Sequence, residues 1–245
     1  TITPSKLLPI PTPITTRTTK NFSIYLFCDT IKMKFRMQGG REMNVIDIST
    51  ELLTAQVYDT DPTPKLQRLN RMDCGDEFEL SAIYASLHTG THIDAPMHFI
   101  ENGNSINSME LERFIGPCTV IELPPGVIAG ITIERLFPKD CKRLLIKSGG
   151  KAHFMSGAAT DACKLGLDLI GTDGITIGSK EDDEFVHRAF LSHNIPILEG
   201  LDLTSVKAGE YFLIALPIKI DGAEASFARA VLIEDHIFWG GKPKF

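Results

Sequence analysis

The chain has little to offer several common chemistries. Its five cysteines, Cys28, Cys74, Cys118, Cys141 and Cys163, are scattered and contain no C-x-x-C pair. An odd, dispersed set reads as the reduced thiols of a cytoplasmic protein, not as a disulfide framework or a thiolate zinc site. No run of about 18 apolar residues occurs, so no ordinary membrane-spanning helix is expected. Dense Lys/Arg clusters are missing, and 25 basic against 31 acidic residues leave a net charge of −6. That balance argues against a nucleic-acid partner. G-x-S-x-G, the P-loop and G-x-G-x-x-G are all absent, which removes serine-hydrolase, nucleotide and dinucleotide chemistries. H-E-x-x-H is absent as well.

What is present is an ordinary globular composition, 43% apolar and 23% charged over 245 residues. Such a chain can bury one large core or two small ones. The first 28 residues stand apart: they carry no acidic residue and are rich in Thr and Pro (Pro4, Pro9, Pro11, Pro13). An organelle-targeting leader, an upstream extension of the reading frame and a surface arm all fit that pattern. Residues 1–42 are therefore expected to form an extension or arm, and the main domain is expected to span 43–245, opening near Met43.

Apolar, β-branched runs at Val45–Ile48, Thr119–Leu123, Leu144–Lys147, Leu167–Gly171, Ile195–Leu198 and Tyr211–Ile220 predict strands. Ile133–Phe137, Ala158–Leu165 and Glu184–Ser192 predict short helices, the second punctuated by Ser156-Gly157 before it and Gly166 after it. Asn194-Ile195-Pro196 closes the third, because a residue before proline avoids the helical region. The class is α/β, a mixed sheet with short helices, and pattern alone leaves the strand order open.

Three of the seven histidines crowd beside an aspartate in His88-Thr89-Gly90-Thr91-His92-Ile93-Asp94-Ala95-Pro96-Met97-His98. Gly90, two threonines and Pro96 disfavour a helix here. Strand parity is the better account: His88, Gly90, His92 and Asp94 are all even-numbered, so one strand would set them on one face, with Gly90 leaving room for an ion. Phe78, Leu80, Ala82 and Tyr84 would continue that face upstream. A bend at Ala95-Pro96 would swing His98 aside. Imidazole and carboxylate donors suit zinc, manganese or iron, and three protein ligands leave a position open for water. A non-ligating His98 would then move protons.

This segment resembles the signature H-x-G-T-H-x-D-x-P-x-H of the cyclase-type metal hydrolases, a family that includes bacterial kynurenine formamidases and isatin hydrolases. The resemblance spans about residues 44–234. It extends to His187-Arg188-Ala189-Phe190-Leu191 and Ile195-Pro196-Ile197-Leu198-Glu199-Gly200-Leu201, and to Arg229-Ala230-Val231-Leu232. It implies a swivelling β/β/α fold and a homodimer or homotetramer. His88, His92 and Asp94 would bind a first divalent metal, zinc or manganese. His187 and Glu199 would complete a second site with Asp94, for one or two ions per subunit, and His98 would shuttle protons. The implied reaction is hydrolysis of a small-molecule amide, formamide or lactam C–N bond. A lyase or cyclisation reaction at the same metal and a catalytically silent metal-binding protein are the alternatives. Two places depart from the family: Tyr58 stands where formamidases carry a pocket tryptophan, keeping an aromatic face with an added hydroxyl, and Glu224-Ala225-Ser226-Phe227-Ala228-Arg229 differs from the usual G-A-P-x-R. His153, His193 and His236 are expected to be structural.

Overall fold

A computed structural model describes residues 23–24, 32–36 and 42–234, with side chains from Asn44 onward. The chain begins with strands β1 (Ser23–Ile24), β2 (Lys32–Arg36), β3 (Glu42–Asp47), β4 (Lys65–Asn70) and β5 (Leu80–Tyr84). Strands β6 (His92–Asp94), β7 (Ile115–Glu122) and β8 (Gly126–Ile128) precede helix α1 (Gly130–Leu136). Then come β9 (Arg143–Lys147), β10 (Ala152–Phe154), α2 (Ser156–Cys163), β11 (Leu169–Thr172) and α3 (Asp183–Ser192). Strands β12 (Ile197–Glu199), β13 (Gly209–Pro217) and β14 (Ala225–Ile233) close the described chain.

One ten-stranded sheet runs β1-β2-β3-β14-β13-β7-β9-β11-β12-β6, and β6 pairs back onto β14. The start of β14 holds β6 while its end holds β3, so the sheet closes on itself from β14 round to β6. Strands β7, β9, β11 and β12 are parallel neighbours. Parallel pairing needs crossover connections, and α1, α2 and α3 supply them.

The middles of β9 and β11 and the start of β12 are apolar because both of their faces are covered. Leu145, Leu169 and Leu198 point into the inner core with Ile93, Phe114 and Leu213. Their neighbours Leu144, Ile146, Ile170 and Ile197 point the other way, onto Phe154, Val186 and Phe190 beneath the helices. The α/β class and the mixed sheet are therefore as expected, and the expected strands and helices form with their ends displaced by a few residues. The last predicted strand stops at Pro217 instead of Ile220.

Two expectations are corrected. The motif does not lie on one continuous strand: β5 ends at Tyr84, a turn follows in which Thr89 N–H donates to Ser86 O (3.1 Å), and β6 starts only at His92. Gly90, with φ +66°, sits in the left-handed region at the end of that turn, which is why glycine stands there. Nor does the Phe78–Tyr84 stretch continue the face of His92 and Asp94, since β5 belongs to a different sheet from β6. Strands β4 and β5 form a separate two-stranded hairpin whose apolar side chains are exposed, Tyr84 at 64%.

Of residues 1–42, only β1, β2 and Glu42 are described, and β2 pairs with β3 across the boundary expected near Met43. Cys28 and His236 lie outside the described residues.

Candidate metal centre

Strand β6 is three residues long, wholly buried, and gripped on both sides. Ile93 enters the inner core, so His92 and Asp94 must face the opposite way, as strand alternation requires. Glu199 of β12 lies directly across from His92 in the antiparallel register, which sets the two side chains on one face. His187 comes from the middle of α3, on the buried side that also carries Val186, Phe190 and Leu191. His88 approaches from the turn before β6. The 3-10 turn Pro96–His98 brings His98 back over the cluster, its ring centroid 4.2 Å from His88 and 5.8 Å from His187.

Asp94 is the hub. His88 Nδ1 lies 2.9 Å from Asp94 Oδ1, an ion-pair contact without hydrogen-bond alignment. His92 Nε2 is 3.5 Å from Oδ1, and His187 Nε2 is 3.5 Å from Oδ2. Glu199 approaches both His92 Nε2 (3.6 Å) and His187 Nε2 (3.4 Å). Donor atoms of His88, His92 and Asp94 all lie within 4.8 Å of one another, and so do those of Asp94, His98 and His187. The sequence-predicted cluster is thus brought together in space, and His98 sits close enough to be counted in its second half.

Backbone carbonyls orient the rings. Gly90 O is 2.9 Å from His92 Nδ1, and Asp183 O is 2.8 Å from His187 Nδ1. A carbonyl only accepts, so each Nδ1 carries a proton, and each Nε2 faces Asp94 and Glu199, where its lone pair would serve a metal ion in place of a proton. Ile177 N–H donates to Glu199 Oε1 at 2.8 Å and fixes that carboxylate. The motif's Thr91 ties the floor together: its hydroxyl donates to Gly200 O (2.6 Å) and accepts from Thr50 N–H (2.8 Å). A Cβ on Gly200, itself at φ +65°, would collide with Gly90 O, so this crossing needs glycine.

The donor set fits a divalent cation. Both carboxylate oxygens of Asp94 and Nε2 of His92 are buried with no hydrogen-bond partner. Leaving a buried carboxylate so exposed to its own desolvation costs several kcal/mol by general experience, on the order of 1–3 kcal/mol even for a neutral group. A cation at the convergence of these atoms removes that cost. The surrounding charges carry the same message. Burial would raise the Asp94 pKa, yet His187 and His88 hold it well below the usual carboxylate range. Burial would lower His88, but Asp94 pushes it up to about 9. His187 is likewise raised against its burial by Asp94 and Glu199. His98 goes the other way: burial takes it down to about 4, which keeps its imidazole neutral.

A cavity of about 300 Å³ opens above the cluster, walled by Tyr58, Phe99, Ile175 and Leu201. Tyr58 is 39% exposed at its edge, and burial with the charges of Asp183 and Asp59 raises its hydroxyl pKa. Glu224 entered the sequence reading only as part of a departure from the family pattern, not as a site residue, yet its Oε1 lies 3.5 Å from His88 Nε2, while Asp94 meets His88 at Nδ1. No local spacing signals this, because the contact exists only through the β14–β6 pairing. His193 makes the structural bond expected of it, its Nδ1 2.8 Å from Ala189 O. The Nδ1 of His153 is buried without a hydrogen-bond partner.

Comparisons with known proteins agree with this geometry. The Cyclase family model, described as "Putative cyclase", matches residues 46–153. The kynurenine formamidase of Erythrobacter litoralis is 36% identical over 180 residues, covering 69% of this chain and 83% of that protein. The kynurenine formamidase of Bacillus thuringiensis subsp. konkukian is 35% identical, covering 60% and 76%. Among solved structures, a potential metal-dependent hydrolase with cyclase activity superposes with a TM-score of 0.70 at 26% identity, over 80% of this chain and all of that one. An isatin hydrolase shares the fold at a TM-score of 0.67 and 18% identity, over 78% and 92%. On its motif, its fold and these relatives, the chain belongs to the cyclase family.

Proposed function

We propose that the chain is a metal-dependent hydrolase that cleaves the C–N bond of a small-molecule amide, formamide or lactam. The observation that carries this reading is the buried Asp94 carboxylate, without a hydrogen bond, ringed by His88, His92 and His187, with Glu199 against the last two imidazoles. His88, His92 and Asp94 would hold a first divalent ion, with Asp94, His187 and Glu199 offering a second position. When bound, such an ion acts as a Lewis acid that polarises a carbonyl and brings the pKa of water down to about 7.

The chain's own residues do the rest. Carbonyl contacts at Nδ1 of His92 and His187 hold their Nε2 atoms toward the centre. His98, neutral and facing the cavity, accepts the proton of the attacking water. As the C–N bond breaks, the same ring delivers that proton to the departing nitrogen, so the proton count balances. Phe99 and Ile175 wall the pocket against bulk water, and Tyr58 offers an aromatic face to a planar substrate.

The relatives named as kynurenine formamidases support a formamide as the first substrate to try. Zinc or manganese suits the nitrogen and oxygen donors. We assign a catalytic unit of residues 43–245 and a homodimer or homotetramer, as family membership suggests. A cytoplasmic location accords with free Cys74, Cys118, Cys141 and Cys163. Among the described residues no helix is long and apolar enough to cross a membrane.

The test is a panel of formamides, lactams and esters assayed before and after chelation, with Zn2+ and Mn2+ added back. Formamide or lactam turnover that vanishes on chelation and returns with metal is expected. Full turnover by the stripped protein would overturn the reading, and product analysis would expose a lyase or cyclisation instead.

A further inference from the structure

His98 is held differently from the histidines beside it. The rings of His92 and His187 are each fixed by a backbone carbonyl at Nδ1, 2.9 and 2.8 Å away. Among the described residues the His98 imidazole has no hydrogen bond of this kind. It meets other rings instead, with centroid separations of 4.2 Å to His88, 4.3 Å to Phe99 and 5.8 Å to His187. Its direction therefore depends on its backbone, the 3-10 turn Pro96–His98. A turn of three residues has little stability of its own.

One side chain clamps that turn onto α3. Arg188 Nη1 donates to Phe99 O at 2.6 Å, on the residue that follows His98. No backbone N–H among the described residues bonds this carbonyl. The guanidinium carbon also lies 6.0 Å from the Phe99 ring centroid, at the outer limit of a cation–π contact. Glu184, one turn earlier on α3, accepts from Arg188 Nε at 2.9 Å and fixes the guanidinium from its other side. The Phe99 ring lies in turn against His187, 4.9 Å away and tilted by 34°. Arg188 itself is exposed and forms no part of the cavity wall. The far end of the loop has its own anchors. Met97 N–H donates to Asn104 O (3.0 Å), and Asn104 Nδ2 reaches Asn194 Oδ1 (3.3 Å) just beyond α3. Loss of Arg188 would thus loosen the His98 end and leave the rest of the loop in place.

We propose that Arg188 is a positioning residue for proton transfer: by clamping Phe99 O to α3 it aims the His98 imidazole at the Asp94 cluster. The proposal rests on the hydrolase reading and adds to it a residue outside the cavity. A misplacement of about 1 Å can cost up to about 10²-fold in rate. A surface Glu–Arg pair with no further role would leave turnover unchanged when lost.

The experiment measures formamide turnover on metal-loaded variants. Arg188→Met keeps the apolar stem but cannot donate to Phe99 O. Its kcat should fall about 10-fold, with KM changed by less than about two-fold and the bound metal unchanged by elemental analysis. Arg188→Lys keeps a donor and should restore most of the loss. In a His98→Ala background, Arg188→Met should cost nothing further, because groups that act as a unit are not additive. Unchanged kcat in Arg188→Met, an equal loss in both backgrounds, or loss of metal would each overturn the proposal. A second readout needs no turnover: carbethoxylation of His98 by diethyl pyrocarbonate, followed by peptide mass spectrometry on the same metal-loaded proteins. Should the unaltered chain hydrolyse no amide, the hydrolase reading fails and this readout decides the clamp alone. Faster modification of His98 in Arg188→Met, reversed in Arg188→Lys, supports it, and equal rates in all three proteins refute it.

Discussion

Strands β5 and β6 are close in sequence and opposite in character. Leu80–Tyr84 is apolar at Leu80, Ala82, Ile83 and Tyr84, yet every residue in it is exposed. His92–Asp94 is polar at two of three positions, yet it is buried throughout. Solvent exposure of scattered apolar groups is tolerated, since much of any protein's surface is apolar. Burial of an unpartnered carboxylate is not tolerated without compensation. The contrast locates function: the polar strand inside the fold carries the chemistry, and the apolar one outside it does not.

The largest effect should follow from altering the buried strand. Asp94→Asn keeps the size of the side chain but removes the charge shared by both halves of the cluster. Turnover should fall to background. Near-normal kcat in this variant would show that the buried carboxylate is not part of the machinery. His98→Ala should reduce kcat by about 10²–10⁴, the usual range for a general acid–base group, while the metal content measured by elemental analysis stays the same. A large loss of metal would make His98 a ligand, as its place within 4.8 Å of Asp94 and His187 allows. Glu224→Gln should weaken metal affinity by about 10-fold, as expected where a carboxylate orients a ligating histidine. Competition with a coloured chelator reads this directly, and unchanged affinity would reduce Glu224 to a bystander.

Smaller effects sharpen the contrast from the exposed side. Asp47 is a carboxylate with its own cation: Arg229 Nε donates to Oδ1 at 3.0 Å. Burial would raise its pKa, but Arg229 and Ser49 bring it below 3.8. A depressed folded-state pKa stabilises above the unfolded value and is lost as pH falls through the folded one. Asp47→Asn should therefore cost at most about 1 kcal/mol near neutral pH, because Arg229 is largely exposed and water screens the pair. In denaturant titrations the difference should fade below pH 3.8. A gap that persists in acid would show that packing, not charge, is at stake. Least of all, Ile83→Thr on the hairpin should leave turnover unchanged and shift stability by no more than about 0.5 kcal/mol. A larger loss, or a drop in mass by light scattering, would show that the hairpin is covered in solution.

The same contrast explains what was legible in the sequence. Parity placed His92 and Asp94 on one face correctly, because β6 is a strand there. It failed for His88 and Gly90, since a left-handed glycine turn has no period of two. The stretch was read as continuing the motif's face because alternation reports which side chains share a side, not which sheet a strand joins. The apolar runs within β9, β11 and β12 were plain, since burial on both faces leaves polar residues only at the strand ends. The contact of Glu224 with His88 was not legible, for it arises from a pairing between segments far apart in the chain. His187 and Glu199 came only from the family resemblance. Their convergence on Asp94 depends on the α3–β12 connection, which spacing alone does not reveal.

The central claim is that the Asp94 cluster is a metal site. It is tested most directly by calorimetric titration of Zn2+ into stripped protein, with Asp94→Asn alongside. The account predicts stoichiometric uptake that restores formamide turnover in the unaltered chain and is lost in the variant. Equal uptake by both proteins, or full turnover without any uptake, would contradict it.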